Sequence, residues 1–133
     1  MEHKNSLRPV LRAAIDAALE KKAEAVTLLD LEGLAAFTDY FLLCTGFSAR
    51  QVEAICDEIE RRAALEGVHP EHREGGPGAE WVLLDFRGFI VHVFTERARS
   101  YYDLERLWRT ARRTEFAQPA PPRHDSGPAE AEA

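Results

Sequence analysis

The spacing of hydrophobic positions changes along the chain, and each change marks an element. Leu7, Val10, Leu11, Ala14, Ile15, Ala18 and Leu19 recur at steps of three and four. That spacing makes one apolar stripe on an α-helix. Ser6 is a suitable N-cap, Pro9 fits a first turn, and Lys21 and Lys22 suit the negative end of the dipole, so a helix is expected over residues 6–24. Residues 25–31 (AVTLLDL) and 40–45 (YFLLCT) are short aliphatic runs of strand length, the second apolar enough to lie deep in a sheet.

The helical period returns in GFSARQVEAICDEIERRAALEG. Ser48 and Gln51 form an S-x-x-Q capping box, Val52, Ile55, Cys56 and Ile59 form the inward stripe, and Gly67 suits the position just past the helix end. Residues 68–78 are polar and rich in proline and glycine, which predicts a short edge strand over 68–73 and then a loop. Two strands follow, over 81–86 and 89–94. Thr95 then caps a last helix over 96–112, with Ala98, Tyr101, Leu104, Leu107 and Trp108 as its apolar members. The order predicts an α/β (α+β) domain over residues 1–113, a single mixed β-sheet of about five strands with packed helices. Residues 114–133 form a tail whose prolines and small or acidic residues predict disorder.

The stretch WVLLDFRGFIVHVF specifies its own pairing. With Arg87-Gly88 as a two-residue turn and Gly88 at positive φ, Trp81 pairs with Phe94, Val82 with Val93, Leu83 with His92, Leu84 with Val91 and Asp85 with Ile90. Alternation then puts Val82, Leu84, Phe86, Phe89, Val91 and Val93 on one wholly apolar face. The other face carries Trp81, Leu83, Asp85, Ile90, His92 and Phe94. Either the last helix covers this mixed face and makes Trp81 and Tyr101 core, or the face is left for a partner, where a large amphipathic ring is well suited.

Composition narrows the choice. A chain of 133 residues with 45% hydrophobic and 30% charged residues fits one soluble domain. No apolar run approaches a membrane span and the N-terminus lacks a signal-peptide core, so a cytoplasmic location is expected. Cys44 and Cys56 lie in buried-looking runs outside any CxxC motif and read as small hydrophobes. The net charge of −6 disfavours broad binding to nucleic-acid phosphate backbones, DNA included, and suits a basic protein partner.

Chemistry is thinly supplied. No G-x-S-x-G, Walker loop or H-E-x-x-H is present. His69 and His72 flank Pro70 with no third ligand in view, so no metal is expected. Gly46-Phe47-Ser48 with Arg50 has the form of a phosphate cradle, but the capping box accounts for Ser48 without a ligand. His92 on a strand reads as a hydrogen-bonded structural residue. Arg61, Arg62, Arg109, Arg112 and Arg113 raise the idea of RNA contact, although acids interleave with the first two.

The segments TDYFLLCTGFSARQVEAICDEI and WVLLDFRGFIVHVFTERARSYYDLERLW resemble the ribosomal silencing factor family, also called RsfS, YbeB or Iojap-like, over roughly residues 7–108. Thr38-Asp39, Cys44-Thr45-Gly46, Ser48, Arg50, Trp81, Asp85, Val91-His92-Val93, Tyr102, Leu104-Glu105 and Leu107-Trp108 stand where the family pattern puts them. The resemblance implies a nucleotidyltransferase-like topology without catalysis or cofactor, and a small protein that is often dimeric. It also implies binding to the large ribosomal subunit, through ribosomal protein number fourteen at the intersubunit face. Occupying that face blocks subunit joining and lowers translation under nutrient limitation; organelle members have a related role in large-subunit assembly. One departure is Arg87-Gly88, where the family carries Gly-Asp: an acid is lost, a cation gained, and a changed hairpin type is expected.

These readings make Trp81, Leu83, Asp85 and His92, with Tyr101, Tyr102 and Leu104, the candidate protein-binding residues. The alternative is a nucleotidyltransferase-fold enzyme or nucleotide binder. That chemistry needs clustered carboxylates to hold Mg²⁺, whereas Asp39 and Asp85 stand as isolated acids.

Overall fold

The computed structural model describes residues 2–116, with side chains from residue 8 onward. The chain runs α1 (Glu2–Glu20), β1 (Glu24–Asp30), β2 (Tyr40–Gly46), α2 (Ala49–Leu65), β3 (His72–Glu74), β4 (Trp81–Asp85), β5 (Phe89–Thr95), α3 (Glu96–Tyr102), α4 (Leu104–Leu107) and β6 (Arg112–Glu115). The six strands form one mixed sheet in the order β3-β4-β5-β2-β1-β6. Only β2 and β5 run parallel.

The first helix lies four residues earlier than the sequence predicts. Ser6 sits inside it rather than at its cap, and Pro9 lies within it. The helix ends in a Schellman motif, with Ala23 N–H donating to the Ala18 carbonyl and Lys22 N–H to the Leu19 carbonyl, both at 3.0 Å. Lys22 takes the left-handed position at φ 66°. A glycine usually marks that stop, and its absence here hid the helix end. The start of α2 follows the capping box: Ser48 Oγ accepts from Gln51 N–H at 3.2 Å. The Gln51 side chain accepts from Phe47 N–H and donates to the Lys21 carbonyl at 3.0 Å, tying the two helix ends together.

The β4–β5 register is the predicted one at all five pairs. Its apolar face packs with Val10, Leu11, Ala14, Ala18 of α1 and Val52, Ile55, Ile59 of α2 into one large cluster. Leu84, Val91 and Val93 are wholly buried there. The opposite face carries a smaller cluster of Leu29, Phe41, Leu43, Ile90, Phe94 and Ala98, flanked by half-buried Trp81, Leu83, Leu104 and Trp108.

Two predicted elements differ. Edge pairing begins at Glu71 N–H, which donates to the Asp85 carbonyl at 2.8 Å, and β3 itself starts at His72. Pro70 lacks an N–H for the ladder, so the strand cannot begin at 68. The last helix does not continue to 112. Asp103 adopts the left-handed conformation at φ 51°, which ends α3 and offsets the single turn of α4. The chain then forms a sixth strand antiparallel to β1, with Thr114 opposite Leu28 and Glu115 opposite Thr27. The folded chain thus passes the boundary expected at 113. The proline-rich stretch expected to be disordered lies, from residue 117, outside the described residues.

Candidate docking face

The mixed sheet face is held together by rings. Trp81 stands at the start of β4 and is half-buried. Its indole stacks on Phe94 at 5.3 Å between centroids and meets Tyr102 of α3 at 4.5 Å. Its Nε1–H donates to His92 Nδ1 at 3.1 Å. That bond requires Nδ1 to be the acceptor nitrogen, so the ring proton sits on Nε2. His92 Nε2 has no partner among the described residues, and Phe41 packs against the ring at 4.4 Å. Burial pushes the imidazole pKa down to about 3, so the ring is neutral at neutral pH.

The seven candidate residues therefore divide. Trp81, Leu83, Tyr102 and Leu104 gather along one face, and Tyr101 stands out from α3 at 80% exposure. His92 is only 4% exposed and cannot itself meet a partner: it positions Trp81 from beneath. Asp85 is half-buried, and its Oδ1 accepts the Arg87 N–H at 2.7 Å. One of its oxygens thus orders the hairpin turn. The face opens into two hollows on either side of Trp81. One is lined by Leu83, Asp85, Ile90 and the β3 residues His72 and Glu74; the other by Glu80, Arg97, Tyr101 and Tyr102. The close approach behind the first hollow requires Gly75, at φ 99°, where a Cβ would lie 2.7 Å from the Trp81 carbonyl oxygen.

The turn corrects an expectation. Positive φ falls on Arg87, at 77°, and not on Gly88. Gly88 N–H donates to the Phe86 carbonyl at 2.9 Å, a γ-turn centred on Arg87. The first turn residue is the left-handed one, the place where the family pattern puts glycine. The Arg87 guanidinium bonds both Glu71 oxygens, at 2.8 and 2.9 Å.

Sequence reasoning missed a second polar cluster. The Arg99 side chain, 11% exposed, donates to the Ala25 carbonyl at 2.6 Å, Thr45 Oγ1 at 3.0 Å and Thr27 Oγ1 at 3.2 Å, and forks onto Glu105 at 2.9 and 3.1 Å. Arg113 of β6 reaches the same carboxylate at 2.9 Å. Hydrogen bonds from Arg99, with a further one from Arg113, hold the Glu105 carboxyl below its ordinary range. The cluster locks α3, α4 and β6 onto β1 and β2. No local pattern signals it, because the β1 and β2 partners of Arg99 lie far from it in sequence.

The cysteines and Gly46 serve packing. Cys44 and Cys56 are free and buried, and burial pushes the Cys44 thiol up to about 12. At Gly46 a Cβ would meet Val52 Cγ2 at 2.8 Å, so this glycine serves close packing of β2 on α2. His72 pairs with Glu74, and no cluster of three metal-ligating side chains occurs among the described residues. Among those residues, no helix is long and apolar enough to cross a membrane.

The family model for "Ribosomal silencing factor during starvation" (RsfS) matches residues 4–133. The chain belongs to the ribosomal silencing factor family. It is 44% identical over 101 residues to the ribosomal silencing factor of Bacillus subtilis, covering 76% of this chain and 86% of the relative. It is 30% identical over 95 residues to the chloroplastic protein Iojap of Zea mays, covering 71% of this chain and 41% of the relative. A crystal structure from Bacillus halodurans matches with a TM-score of 0.71 at 38% identity, covering 82% of this chain and 99% of that one. One from Chromobacterium violaceum matches with a TM-score of 0.74 at 30% identity, covering 86% and 96%. Within this ribosomal silencing factor, the Trp81 face and the Arg99 cluster both meet α3, the first through Tyr102 and the second through Arg99.

Proposed function

We propose that this ribosomal silencing factor binds the large ribosomal subunit through ribosomal protein number fourteen and blocks subunit joining by bulk alone, lowering translation in starvation. The observation that carries this reading is the Trp81 face. A half-buried indole, fixed beneath by His92 and flanked by Phe94 and Tyr102, is a rigid amphipathic anchor between two open hollows. Rigid aromatic anchors dominate protein interfaces because little rotamer freedom is lost on docking. Glu74 and Asp85 line one hollow, and the chain carries −6 overall, which suits a basic ribosomal protein. The same reading makes the protein a non-catalytic cytoplasmic regulator. It also permits a homodimer as the form free of the ribosome.

A sucrose gradient with purified subunits tests the proposal. Added before mixing, the protein should sediment with the large subunit and reduce the joined-ribosome peak. Trp81→Ala should bind about 30-fold or more weakly, the loss of an anchor worth about 2 kcal/mol. A well-folded Trp81→Ala protein with undiminished subunit binding would remove this face from the interface. Wild-type protein left at the top of the gradient would remove the function.

A further inference from the structure

Charge is unevenly distributed in this acidic chain. Residues 96–116 hold six arginines against four acids, whereas the whole chain carries −6. Three of those arginines are engaged: Arg97 with Glu80, Arg99 with Glu105, and Arg113 with Glu105 and Glu115. Arg106, Arg109 and Arg112 are exposed and make no ion pair among the described residues. Arg112 stands opposite Asp30 in the β1–β6 register, which softens its charge. Arg106 and Arg109 share an open groove with Tyr101, Tyr102 and Leu107, in which Asp103 is the one acid. Tyr101 and Leu107 are 80% and 71% exposed there.

We infer that this groove is an RNA contact, taking the phosphate backbone on Arg106 and Arg109 and an unstacked base on Tyr101. The inference rests on the large-subunit reading above and adds ribosomal RNA to its partners. Guanidinium groups without carboxylate partners are free to replace phosphate counterions, and an exposed phenol offers a stacking surface that every base can use. Of the neighbouring acids, Glu105 and Glu115 are already held by Arg99 and Arg113, which leaves Asp103 as one carboxylate against two guanidinium groups in the groove. Location supports the same partner. Tyr102 lines both this groove and the hollow beside Trp81, so the two surfaces are continuous across α3. An acid-rimmed hollow beside an arginine groove matches a surface where basic protein borders RNA, and matches a uniformly basic or acidic partner poorly.

The test uses the full chain and the double variant Arg106→Gln/Arg109→Gln, neither residue belonging to the Trp81 anchor. Both side chains are exposed and make no ion pair among the described residues, so thermal unfolding should be unchanged. Binding is measured across a salt series to purified large subunits and, separately, to protein-free large-subunit RNA. The variant should bind subunits about tenfold more weakly near 0.1 M salt. The slope of log affinity against log salt should flatten by roughly 1–2, two phosphate contacts at about 0.7–0.9 each. The same variant should lose affinity for the protein-free RNA. Unchanged subunit affinity and slope would overturn the inference while leaving the large-subunit reading intact. Weakened subunit binding with unchanged RNA binding would put the arginines against an acidic protein surface, and also overturn it. If wild-type protein ignores subunits, the large-subunit reading fails first, and the RNA arm alone then decides whether the groove binds RNA.

Discussion

The two faces of the β4–β5 hairpin are built from the same fourteen-residue stretch and do opposite work. The face toward α1 and α2 is aliphatic and phenyl throughout, and its strand positions are sealed. The face toward α3 and α4 mixes an indole, an imidazole and a carboxylate with aliphatic side chains, and it is half-open. The difference teaches how a small domain divides its sheet. One side supplies stability through dense burial, and the other carries polar atoms whose partners must be supplied one by one. Trp81 Nε1 finds His92, Asp85 Oδ1 finds the Arg87 amide, and Arg99 finds two threonines, a carbonyl and Glu105.

The comparison breaks most visibly at neighbouring leucines. Leu84→Ala empties a wholly buried site on the sealed face and should cost about 3 kcal/mol, while Leu83→Ala on the open face should cost about 1 kcal/mol. Urea unfolding of the two variants checks this directly, and equal losses would mean the open face is as tightly packed as the closed one.

Next in size is the Arg99 cluster. Arg99→Ala should cost about 2–3 kcal/mol in the same measurement, because Glu105 and the Ala25 carbonyl lose their main donor. Glu105 carries a depressed carboxyl pKa. Its share of stability is therefore present above the ordinary carboxylate range and disappears as pH falls through the lower folded value. Glu105→Gln should remove that acid-side loss.

His92 gives a pH dependence of the same sign, in a window above the carboxylate range. Its folded pKa of about 3 lies below the unfolded value, so the unfolded chain binds a proton first as pH falls. Stability should drop between pH 6.5 and 5 by about 1.6 kcal/mol, at most ~1.4 kcal/mol per unit. His92→Gln, which can still accept from Trp81, should flatten that window, as read by denaturant midpoints at each pH.

The smallest effect is expected at the turn. Arg87→Gly relieves a left-handed arginine, worth about 1 kcal/mol, and gives up a solvent-screened ion pair with Glu71. The net change in midpoint should be close to zero. A large loss would mean that the pair, despite its exposure, holds β3 to the hairpin.

Much of the sealed side was legible in the chain. Strict alternation from Trp81 to Phe94 fixed the register of β4 on β5, and the Ser48–Gln51 signal located the start of α2. The open side was less legible. Trp81, Leu83, Tyr102 and Leu104 lie along one face, and His92 is the hydrogen-bonded structural residue that its strand position suggested, yet nothing local distinguished Tyr101 as exposed. The stripe of Ala98, Tyr101, Leu104, Leu107 and Trp108 reads as one helix, and the left-handed Asp103 splits it. The four exposed residues of β6 carry no hydrophobic pattern at all.

The amino-acid order alone determined the elements whose signals are periodic or adjacent: the apolar stripes, the hairpin pairing, the caps and the family. Those signals act over a few residues, where backbone geometry dictates the spacing. Tertiary structure decided which polar atoms are satisfied and which surfaces stay open. It brought Arg99 to Thr27, Thr45 and Glu105, laid β6 against β1, and set Arg106 and Arg109 beside Tyr101 in one groove. Burial and pairing depend on what the fold sets opposite each side chain, and those neighbours come from segments far apart in the chain.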